Sequence, residues 1–383
     1  MLTLKELKEI SKKELPLSHS RPHYIEKISK WLKNKEIIII KGIRRCGKTH
    51  IMYQLIKLLP KDSCYYFNFE DFYFENYKSV KLLEQIIKLR NPNERTYFFF
   101  DEIQQIKGFE KWLRTYYDKE INIKFIIGGS NISLLTPELA TVLTGRNMTF
   151  VIKPLSWNEA KEFKQISFDE YLLYGGFPEI VLQNDKIKKK ELLKQYIDDI
   201  IAKDIIFRYK AENPNILKSL AYFFLTNPGV KISANKLGRQ IGVSKETAQK
   251  HLNFIIDTFM LFEVPFFSWS EKTKYIGNHA SKYYIIDNGF HTAVSLKINL
   301  SLLYENMIAI FLDKPLAYWE DKVEIDFISG NKAIQITASN RIAKRELKAF
   351  DVFNSAFKNF ENLLITPNTT SKSISIKDFI ENR

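Results

Sequence analysis

Cysteine is scarce in this sequence, with Cys46 and Cys64 the only two among 383 residues. Two thiols are too few for a disulfide framework or a cysteine-rich metal cluster, which predicts a reducing compartment. No apolar run in the sequence is long enough to span a bilayer. Residues 1–14 alternate lysine and glutamate where a signal peptide would have an apolar core. Repeats and low-complexity tracts are also lacking, so we expect a cytoplasmic, globular protein with no membrane partner.

Acidic residues are outnumbered by basic ones, 44 against 58, which gives a formal net charge of +14. Such a charge is typical of proteins that bind nucleic acid. The alternative is a lysine-rich compositional bias, with lysines spread over solvated helix faces. The densest run, at 186–194, lies on a predicted helix together with two leucines. Charge alone therefore leaves DNA and protein partners both open.

A phosphate-binding loop motif occupies positions 42–49, which read Gly-Ile-Arg-Arg-Cys-Gly-Lys-Thr. The β-branched run 37–40 predicts a buried strand before it, and apolar residues at helical spacing over 50–59 predict a helix after it. In this context glycines let the backbone N–H groups wrap a triphosphate, and the helix N-terminus attracts the anion. We therefore predict binding of a nucleoside triphosphate. The predicted contacts are Gly42, Ile43, Arg44, Arg45, Cys46, Gly47, Lys48, Thr49 and His50.

Lys48 and Thr49 have defined roles in such a loop. Lys48 would reach the β- and γ-phosphates, and the Thr49 hydroxyl would bind Mg²⁺. The strand predicted over 96–100 ends in Asp101 and Glu102, which supply the second half of an NTPase site. We predict that Asp101 is a Mg²⁺ ligand and that Glu102 is the base that polarises the attacking water.

A third predicted strand, 123–127, leads into Gly-Gly-Ser-Asn and ends at Asn131. An amide at this edge of the sheet would position the attacking water or sense the γ-phosphate. Alternatively, Asn131 caps a turn. We expect the functional role.

The order of predicted elements divides the chain into four segments and indicates an α/β fold. Strands and helices alternate over 1–155, as in a parallel sheet covered by helices on both faces. Residues 156–212 have a helical pattern, broken at 174–178, and we interpret them as a helical lid. Residues 213–275 form a third segment, and 276–383 form a separate small α/β domain. A chain of this length has room for roughly two to four such domains.

The third segment has the layout of a winged helix-turn-helix. Helices are predicted over 216–225, 233–241 and 245–259, followed by a strand over 261–269. Ser233 and Ser244 are the predicted caps, and Gly242 ends the second helix. Four polar side chains near the exposed start of the third helix are candidate DNA contacts, unless this segment only packs against a neighbouring domain. They are Lys245, Thr247, Gln249 and Lys250.

Carboxylates of the last segment lie on a predicted helix and on adjacent strands, at Glu305, Glu324 and Asp326. Such a set can gather a divalent metal for phosphodiester cleavage. The alternative is ordinary acidity at a strand edge. The residues alone leave both interpretations open.

Taken together, the chain resembles AAA-type ATPases of an archaeal and bacterial group that join a P-loop module to a winged helix and a restriction-nuclease-like C-terminal domain. The resemblance covers most of the chain and depends on several motifs in a fixed order. They are the double-arginine loop at 42–49, Phe-Asn-Phe-Glu-Asp at 67–71, the strand and acids at 98–104, Gly-Ser-Asn at 129–131, Leu-Thr-Gly-Arg at 143–146, Lys-Pro-Leu-Ser at 153–156, Gly-Gly-Phe-Pro at 175–178, Tyr-Ile-Ile-Asp-Asn-Gly at 284–289, Glu-Asn at 305–306, and Tyr-Trp at 318–319 with Glu-Ile-Asp-Phe at 324–327.

The resemblance implies further roles. Arg146 would be an arginine that contacts the γ-phosphate, in its own chain or in a neighbouring subunit. Alternatively, Arg146 pairs with a local acid. The stretch that begins with Arg21 and Pro22 would wrap adenine, which implies ATP as the nucleotide. One departure matters: the nuclease-like group needs an acid and a lysine where this chain has Gln335 and Thr337. We therefore predict a degenerate site without nuclease activity.

The leading hypothesis is an ATP-hydrolysing molecular switch that uses Mg²⁺ and couples its nucleotide state to the winged-helix and C-terminal segments. The alternative is a DNA-associated regulatory or defence protein that holds nucleotide with little turnover. An ATP-dependent nuclease is the weaker third hypothesis, because of Gln335 and Thr337. The sequence leaves the oligomeric state and any protein partner open.

Overall fold

The computed structural model describes residues 2–12, 16, 19–119, 121–129, 143–211, 213–268, 279–312 and 316–382. The chain forms two compact units, Met1–Lys153 and Pro154–Arg383. Helices within the described ranges are all too short or too polar to cross a membrane.

The first unit is built on a parallel sheet. Its described strands lie in the order β2-β3-β4-β1-β5, and every neighbouring pair is parallel. β-Branched and aromatic runs form the central strands because both faces of the sheet are buried. The strands are β1 (Ile37–Lys41), β2 (Cys64–Asn68), β3 (Thr96–Asp101), β4 (Ile123–Gly129) and β5 (Asn147–Val151).

Helices cover this sheet, and aromatic rings fill the core on one of its faces. Phe98 and Phe125 stack with their ring centroids 6.1 Å apart, and Trp112 meets Phe125 edge to face at 5.6 Å. Burial of each such ring stabilises the unit by roughly 2 kcal/mol. The described helices are α1 (Leu4–Ser11), α2 (Pro22–Ser29), α3 (Lys48–Ile56), α4 (Val80–Ile86) and α5 (Phe109–Asp118).

The second unit combines helices with two sheets. Its described helices are α6 (Trp157–Phe163), α7 (Phe168–Tyr174), α8 (Pro178–Leu182), α9 (Lys186–Asp199), α10 (Pro214–Thr226), α11 (Ala234–Ile241), α12 (Lys245–Asp257), α13 (Asn288–Val294), α14 (Leu300–Leu312), α15 (Lys344–Ala356) and α16 (Ile376–Glu381), and a π-helical stretch, Ile200–Phe207, continues α9. Its described strands are β6 (Val230–Ile232), β7 (Leu261–Val264), β8 (Ser281–Ile285), β9 (Ala317–Glu320), β10 (Glu324–Ser329), β11 (Lys332–Ile336), β12 (Glu361–Thr366) and β13 (Ile374–Ser375).

The smaller sheet belongs to a helix–strand–helix–helix–strand–strand array, α10-β6-α11-α12-β7-β8, with strand order β6-β8-β7. Ser233 and Ser244 cap α11 and α12 as predicted, and Gly242 ends α11 in the left-handed region. β7 is shorter than the predicted strand over 261–269. β8, which pairs with both neighbours, lies beyond the expected boundary at 275.

The larger sheet has the order β13-β12-β11-β10-β9. β10 and β11 form the predicted hairpin around Gly330, whose φ of +58° favours glycine. The helix predicted over 307–312 is longer than expected and spans α14. One core cluster joins this sheet to α14 through Leu303, Phe327 and Ile334.

The segment interpreted as a lid shares that core. Trp157 and Leu172 are buried in the same cluster as Leu303. The indole Nε1 of Trp157 also donates a hydrogen bond of 2.8 Å to Glu381 in the last helix. In the described part of the chain, the elements of 156–212 therefore belong to the second compact unit.

Two motifs of the sequence, 284–289 and 305–306, meet helix α7 inside this unit. The side-chain amide of Asn288 donates to the carbonyls of Leu172 and Leu303, both at 3.0 Å. Asn306 donates to Asn288 Oδ1 at 2.8 Å, and its own Oδ1 accepts from the N–H of Ile285 at 2.9 Å. These buried amides link α7, the end of β8 and α14 through hydrogen bonds that are protected from water.

Candidate nucleotide-binding site

The phosphate-binding loop connects β1 to α3, as the motif predicts. Gly42 lies so close to the neighbouring chain that a Cβ there would be 2.0 Å from the carbonyl oxygen of Ile152. Gly47 precedes α3 in the left-handed region, with φ of +99°. Cys46 is fully buried and donates to the same Ile152 oxygen at 3.2 Å. The loop conformation therefore depends on both glycines and on a small buried side chain between them.

Lys48 lies at the start of α3 with its ammonium group turned into the loop. Its Nζ donates to the carbonyl oxygens of Gly42 at 3.0 Å and Ile43 at 3.1 Å. Only 6% of the residue is exposed. The loop thus holds a buried positive charge where the motif predicts a phosphate contact.

Thr49 and Asp101 come together across the carboxyl edge of the sheet. The Thr49 hydroxyl donates to Asp101 Oδ2 at 2.6 Å, and the hydroxyl of Tyr66 donates to the same oxygen at 3.1 Å. Hard oxygen donors of this kind fit Mg²⁺, which takes one or two protein ligands and completes its shell with phosphate oxygens and water. Groups of three or more His, Cys, Asp or Glu side chains suited to a metal are absent from the described residues. A Mg²⁺ ion here would therefore be held by Thr49 and Asp101 together with a nucleotide.

Glu102 follows in a strained backbone conformation, with φ of +52°. This left-handed region costs a non-glycine residue about 1 kcal/mol. Burial, and next the charge of Asp101, raise the pKa of Glu102 to about 7, while Lys48 and Arg44 oppose the shift. A carboxylate with a pKa near neutrality is well suited to act as a general base.

Gln104 is a site residue that sequence reasoning did not single out. Its side-chain Nε2 donates a short hydrogen bond to Glu102 Oε2. Gly129 makes room for it, since a Cβ there would lie 2.5 Å from Gln104 Oε1. The only signal was its place in the motif at 98–104, because the contact depends on how the turn after β3 folds back.

Arg21, predicted to help wrap adenine, is instead buried beside the loop, with 2% of its surface exposed. Its guanidinium donates to the carbonyls of Cys46 at 3.1 Å and Lys153 at 3.0 Å. Pro22, its neighbour, opens α2. Arg21 therefore holds the phosphate-binding loop in place, and contact of this stretch with adenine stays a prediction.

Arg146 lies at the opposite edge of the sheet. Its carbonyl accepts a hydrogen bond from the N–H of Ile37, the first residue of β1, whereas the loop follows the last residue of that strand. Five residues of strand correspond to roughly 16 Å. The guanidinium of Arg146 pairs with Asp118 at 3.1 Å. Contact with the γ-phosphate in the same chain is therefore wrong as a prediction, since the length of β1 separates Arg146 from the loop. A role toward a neighbouring subunit stays untested, and Asn131 lies outside the described residues.

The carboxylates of the last segment do come together, around a lysine that the sequence did not indicate. Lys282 Nζ lies 3.0 Å from Glu305, 2.5 Å from Glu324 and 3.9 Å from Asp326. Burial disfavours the ammonium form, but the three carboxylates outweigh it and hold the pKa of Lys282 above its ordinary value. The ammonium group thus occupies the centre of the acidic cluster.

Gln335 and Thr337, which stand where the nuclease-like group has an acid and a lysine, each make a side-chain hydrogen bond within the described residues. Gln335 donates to Glu346 of α15 at 2.8 Å. The Thr337 hydroxyl accepts from the N–H of Ser339 at 3.3 Å.

The candidate DNA contacts lie on α12. Lys245, Gln249 and Lys250 are exposed, whereas Thr247 is half-buried and its N–H donates to the Ser244 cap. Gln249 donates to Asn253 at 2.9 Å along the same helix. The structure therefore places these side chains on one polar helix surface.

Comparison with known proteins agrees with this site. An AAA domain matches residues 34–161, and a domain of unknown function matches residues 165–301. The loop, the Thr49–Asp101 pair and this match support a P-loop domain of the AAA type over residues 34–161. An uncharacterized protein of Methanocaldococcus jannaschii, MJ1544, is 32% identical over 359 residues, which cover 84% of this chain and 79% of that protein. The chain belongs to the same protein family as MJ1544.

More distant matches were also found. An uncharacterized protein of Haemophilus influenzae is 29% identical over 337 residues, covering 81% of this chain and 83% of that protein. Among solved structures, the Aeropyrum pernix ORC1 protein in complex with DNA is 10% identical, with a TM-score of 0.35 over 73% of this chain and 93% of that one. The replication initiator DnaA bound to AMPPCP and single-stranded DNA is 14% identical, with a TM-score of 0.31 over 65% of this chain and 92% of that one. Structural similarity at TM-scores this low does not indicate what this chain binds.

Proposed function

We propose that this protein is an ATP-hydrolysing AAA-type switch, whose nucleotide state is coupled to its second unit. The observation that carries the proposal is the Thr49–Asp101 contact of 2.6 Å, made at the sheet edge where Lys48 and Glu102 also lie. These four side chains are the groups that bind and hydrolyse a triphosphate in a P-loop site. The choice of ATP over other nucleotides depends on the family resemblance.

Each side chain has a distinct task. Lys48 would leave the loop carbonyls and bind the β- and γ-phosphates, which offer it a stronger charge-assisted contact. Thr49 and Asp101 would hold Mg²⁺, which neutralises charge on the phosphate oxygens when it is bound. Glu102, oriented by Gln104, would accept a proton from the attacking water as that water adds to the γ-phosphorus. ADP and phosphate leave as products.

The second unit would be the module that responds to the state of the bound nucleotide. The array α10-β6-α11-α12-β7-β8 supports a winged helix that extends to Ile285, ten residues beyond the boundary expected at 275. The order α14-β9-β10-β11-α15-β12 supports a restriction-nuclease-like domain. Lys282 in the acidic cluster supports the prediction that this domain is inactive, because an ammonium already balances the charge that a metal ion would balance.

The decisive experiment compares ATP binding and turnover in the wild type, Glu102→Gln and Lys48→Ala. We expect Glu102→Gln to keep nucleotide affinity within about threefold and to lose at least about 100-fold in kcat, since only the base is removed. Lys48→Ala should lose tight binding. Glu94→Gln, an exposed glutamate before β3, is the matched control. Turnover of Glu102→Gln at the wild-type rate would refute the base assignment.

A DNA-associated role is the second candidate, favoured by the exposed Lys245, Gln249 and Lys250 on α12. If these lysines meet phosphates, Lys245→Ala and Lys250→Ala should each lower the salt dependence of duplex binding by about one unit of slope. Lys186→Ala, exposed at the start of α9, should leave it unchanged. Turnover that rises with duplex DNA would indicate a DNA-responsive ATPase. If DNA does not change the rate of ATP turnover and no salt-dependent DNA binding is found, we infer that the winged helix binds a protein partner instead.

A further inference from the structure

Arg44 lies within the phosphate-binding loop and pairs with an acid from the neighbouring part of the sheet. Its NH2 group is 3.9 Å from Glu70 Oε1, with 20% of the arginine side chain and 41% of the glutamate side chain exposed. A pair at this distance and exposure is weak, because water screens it. The contact between Arg44 and Glu70 can therefore be broken at little cost.

Glu70 comes from the edge of the sheet that carries the candidate base. It follows β2, and its N–H donates to Asn68 Oδ1 at 3.0 Å, where Asn68 pairs with Asp101 in the sheet. The N–H of Phe69 donates to the Asp101 carbonyl at 3.0 Å. The Arg44–Glu70 pair thus connects the phosphate-binding loop to the strand ends that carry Asp101 and Glu102.

Arg44 lies at the same edge of the sheet as Glu102. The phosphate-binding loop follows the end of β1 and Glu102 follows the end of β3, and β1, β4 and β3 are neighbouring parallel strands. The loop that carries the guanidinium is therefore on the side of the sheet where Glu102 would activate water. Arg146, by contrast, lies at the other edge of the sheet and pairs with Asp118.

We propose that Arg44 is the arginine that contacts the γ-phosphate of ATP within its own chain, and that Glu70 holds it aside until a triphosphate binds. The inference rests on the proposed ATPase function. A triphosphate offers a guanidinium two or more charged oxygens in the fork geometry that arginine prefers. The contact would stabilise the charge that develops on the γ-phosphoryl oxygens during transfer. A diphosphate lacks those oxygens, so Arg44 would then return to Glu70.

The test separates the γ-phosphate from the rest of the nucleotide. Arg44→Ala should lower kcat by about 1,000-fold, the order of size for an arginine at a transferred phosphoryl group, and keep ADP affinity within about threefold. Arg44→Lys keeps the charge and should recover part of the loss. Glu70→Gln should bind a non-hydrolysable ATP analogue more tightly than wild type, and this gain should vanish when combined with Arg44→Ala. Arg114→Ala on α5 and the exposed Glu75→Gln are the matched controls.

The outcomes are distinguishable. A wild type without ATP turnover overturns the proposed function, and this inference with it. Suppose instead that the wild type hydrolyses ATP. If Arg44→Ala then keeps its kcat within threefold, or loses affinity for ADP and for the ATP analogue equally, only the role of Arg44 is overturned. If Arg44→Ala fails to fold, the double-mutant cycle of Arg44→Lys with Glu70→Gln decides, and additive effects on analogue affinity would contradict the proposal.

Discussion

The Oδ2 atom of Asp287 accepts a hydrogen bond of 2.7 Å from the backbone N–H of Gly176, a residue 111 positions earlier in the chain. A Cβ at Gly175 would lie 1.7 Å from the other oxygen of Asp287, and one at Gly176 would lie 2.0 Å from the Leu155 carbonyl oxygen. Gly175 is therefore needed for the chain to approach this carboxylate, and Gly176 is needed for it to approach the backbone of Leu155. The Gly-Gly-Phe-Pro motif and the motif at 284–289 therefore pack closely against each other within the second unit.

This close packing predicts how much stability is lost when a methyl group is added at Gly176. Gly176→Ala should lower the free energy of unfolding by about 3 kcal/mol, because the backbone oxygen it meets cannot move away. Gly330→Ala is the control, since Gly330 has a positive φ but no atom within 4 Å of the added Cβ. It should cost about 1 kcal/mol from backbone strain alone. Chemical denaturation monitored by circular dichroism measures both, and equal losses would refute the steric explanation.

Asp287 also predicts a pH dependence of stability. Burial raises its pKa from 3.8 to about 7, against the two backbone hydrogen bonds from Gly176 and Gly289. The folded state thus favours the protonated acid, so the stabilising contribution is complete below about pH 4 and is lost as the pH rises toward about 7. As the pH rises across this window, the free energy of unfolding of the wild type should fall relative to that of Asp287→Asn, by up to about 1.4 kcal/mol per pH unit. Denaturation at several pH values would show this, and the exposed Asp351→Asn should follow the wild-type curve.

The acidic cluster predicts that Lys282 contributes strongly to stability. Lys282→Met leaves three carboxylates without their buried cation and should cost about 3 kcal/mol at neutral pH. Lys332→Met is the matched control, because Lys332 pairs with the exposed Glu361 at 3.5 Å and should cost under about 1 kcal/mol. Thermal unfolding compares the two variants. Similar small losses would mean that the cluster is not held together by the ammonium group.

The same cluster predicts no phosphodiester cleavage. Lys282 occupies the centre of the carboxylates, and Gln335 bonds Glu346 where the nuclease-like group has a catalytic acid. Supercoiled plasmid incubated with Mg²⁺ or Mn²⁺ should stay intact. Cleavage that Asp326→Ala abolishes would contradict this prediction.

The raised pKa of Glu102 leads to a prediction of how ATP turnover depends on pH. Because its pKa is raised to about 7, the carboxylate that can accept a proton is a minor form in acid and becomes the major form above neutrality. The kcat/KM for ATP should rise about tenfold per pH unit below about pH 7 and level off above it. Nucleotide affinity of Glu102→Gln over the same range separates this effect from protonation of ATP. A flat kcat/KM profile would be incompatible with Glu102 as the base.

Several elements could be predicted from the sequence because their signals are local. The run at 37–40 lies in β1, Asp101 ends the buried strand β3 and Glu102 follows it, and Ser233 and Ser244 cap their helices as predicted. A strand buried on both faces and a capped helix leave their pattern in consecutive residues. Element lengths were less accurate, as the short β7 and the long α14 show, because tertiary packing decides where a strand or helix ends.

The sequence by itself determined the candidate nucleotide site, since a phosphate-binding loop is one contiguous stretch whose glycines, lysine and threonine lie within a few residues of each other. Only the tertiary structure decided which distant side chains meet. It put Lys282 among the carboxylates, Arg146 at the far edge of the sheet, and Asp287 against Gly176. Such contacts join segments of chain far apart in sequence, so they follow from strand order and packing, which no local pattern records.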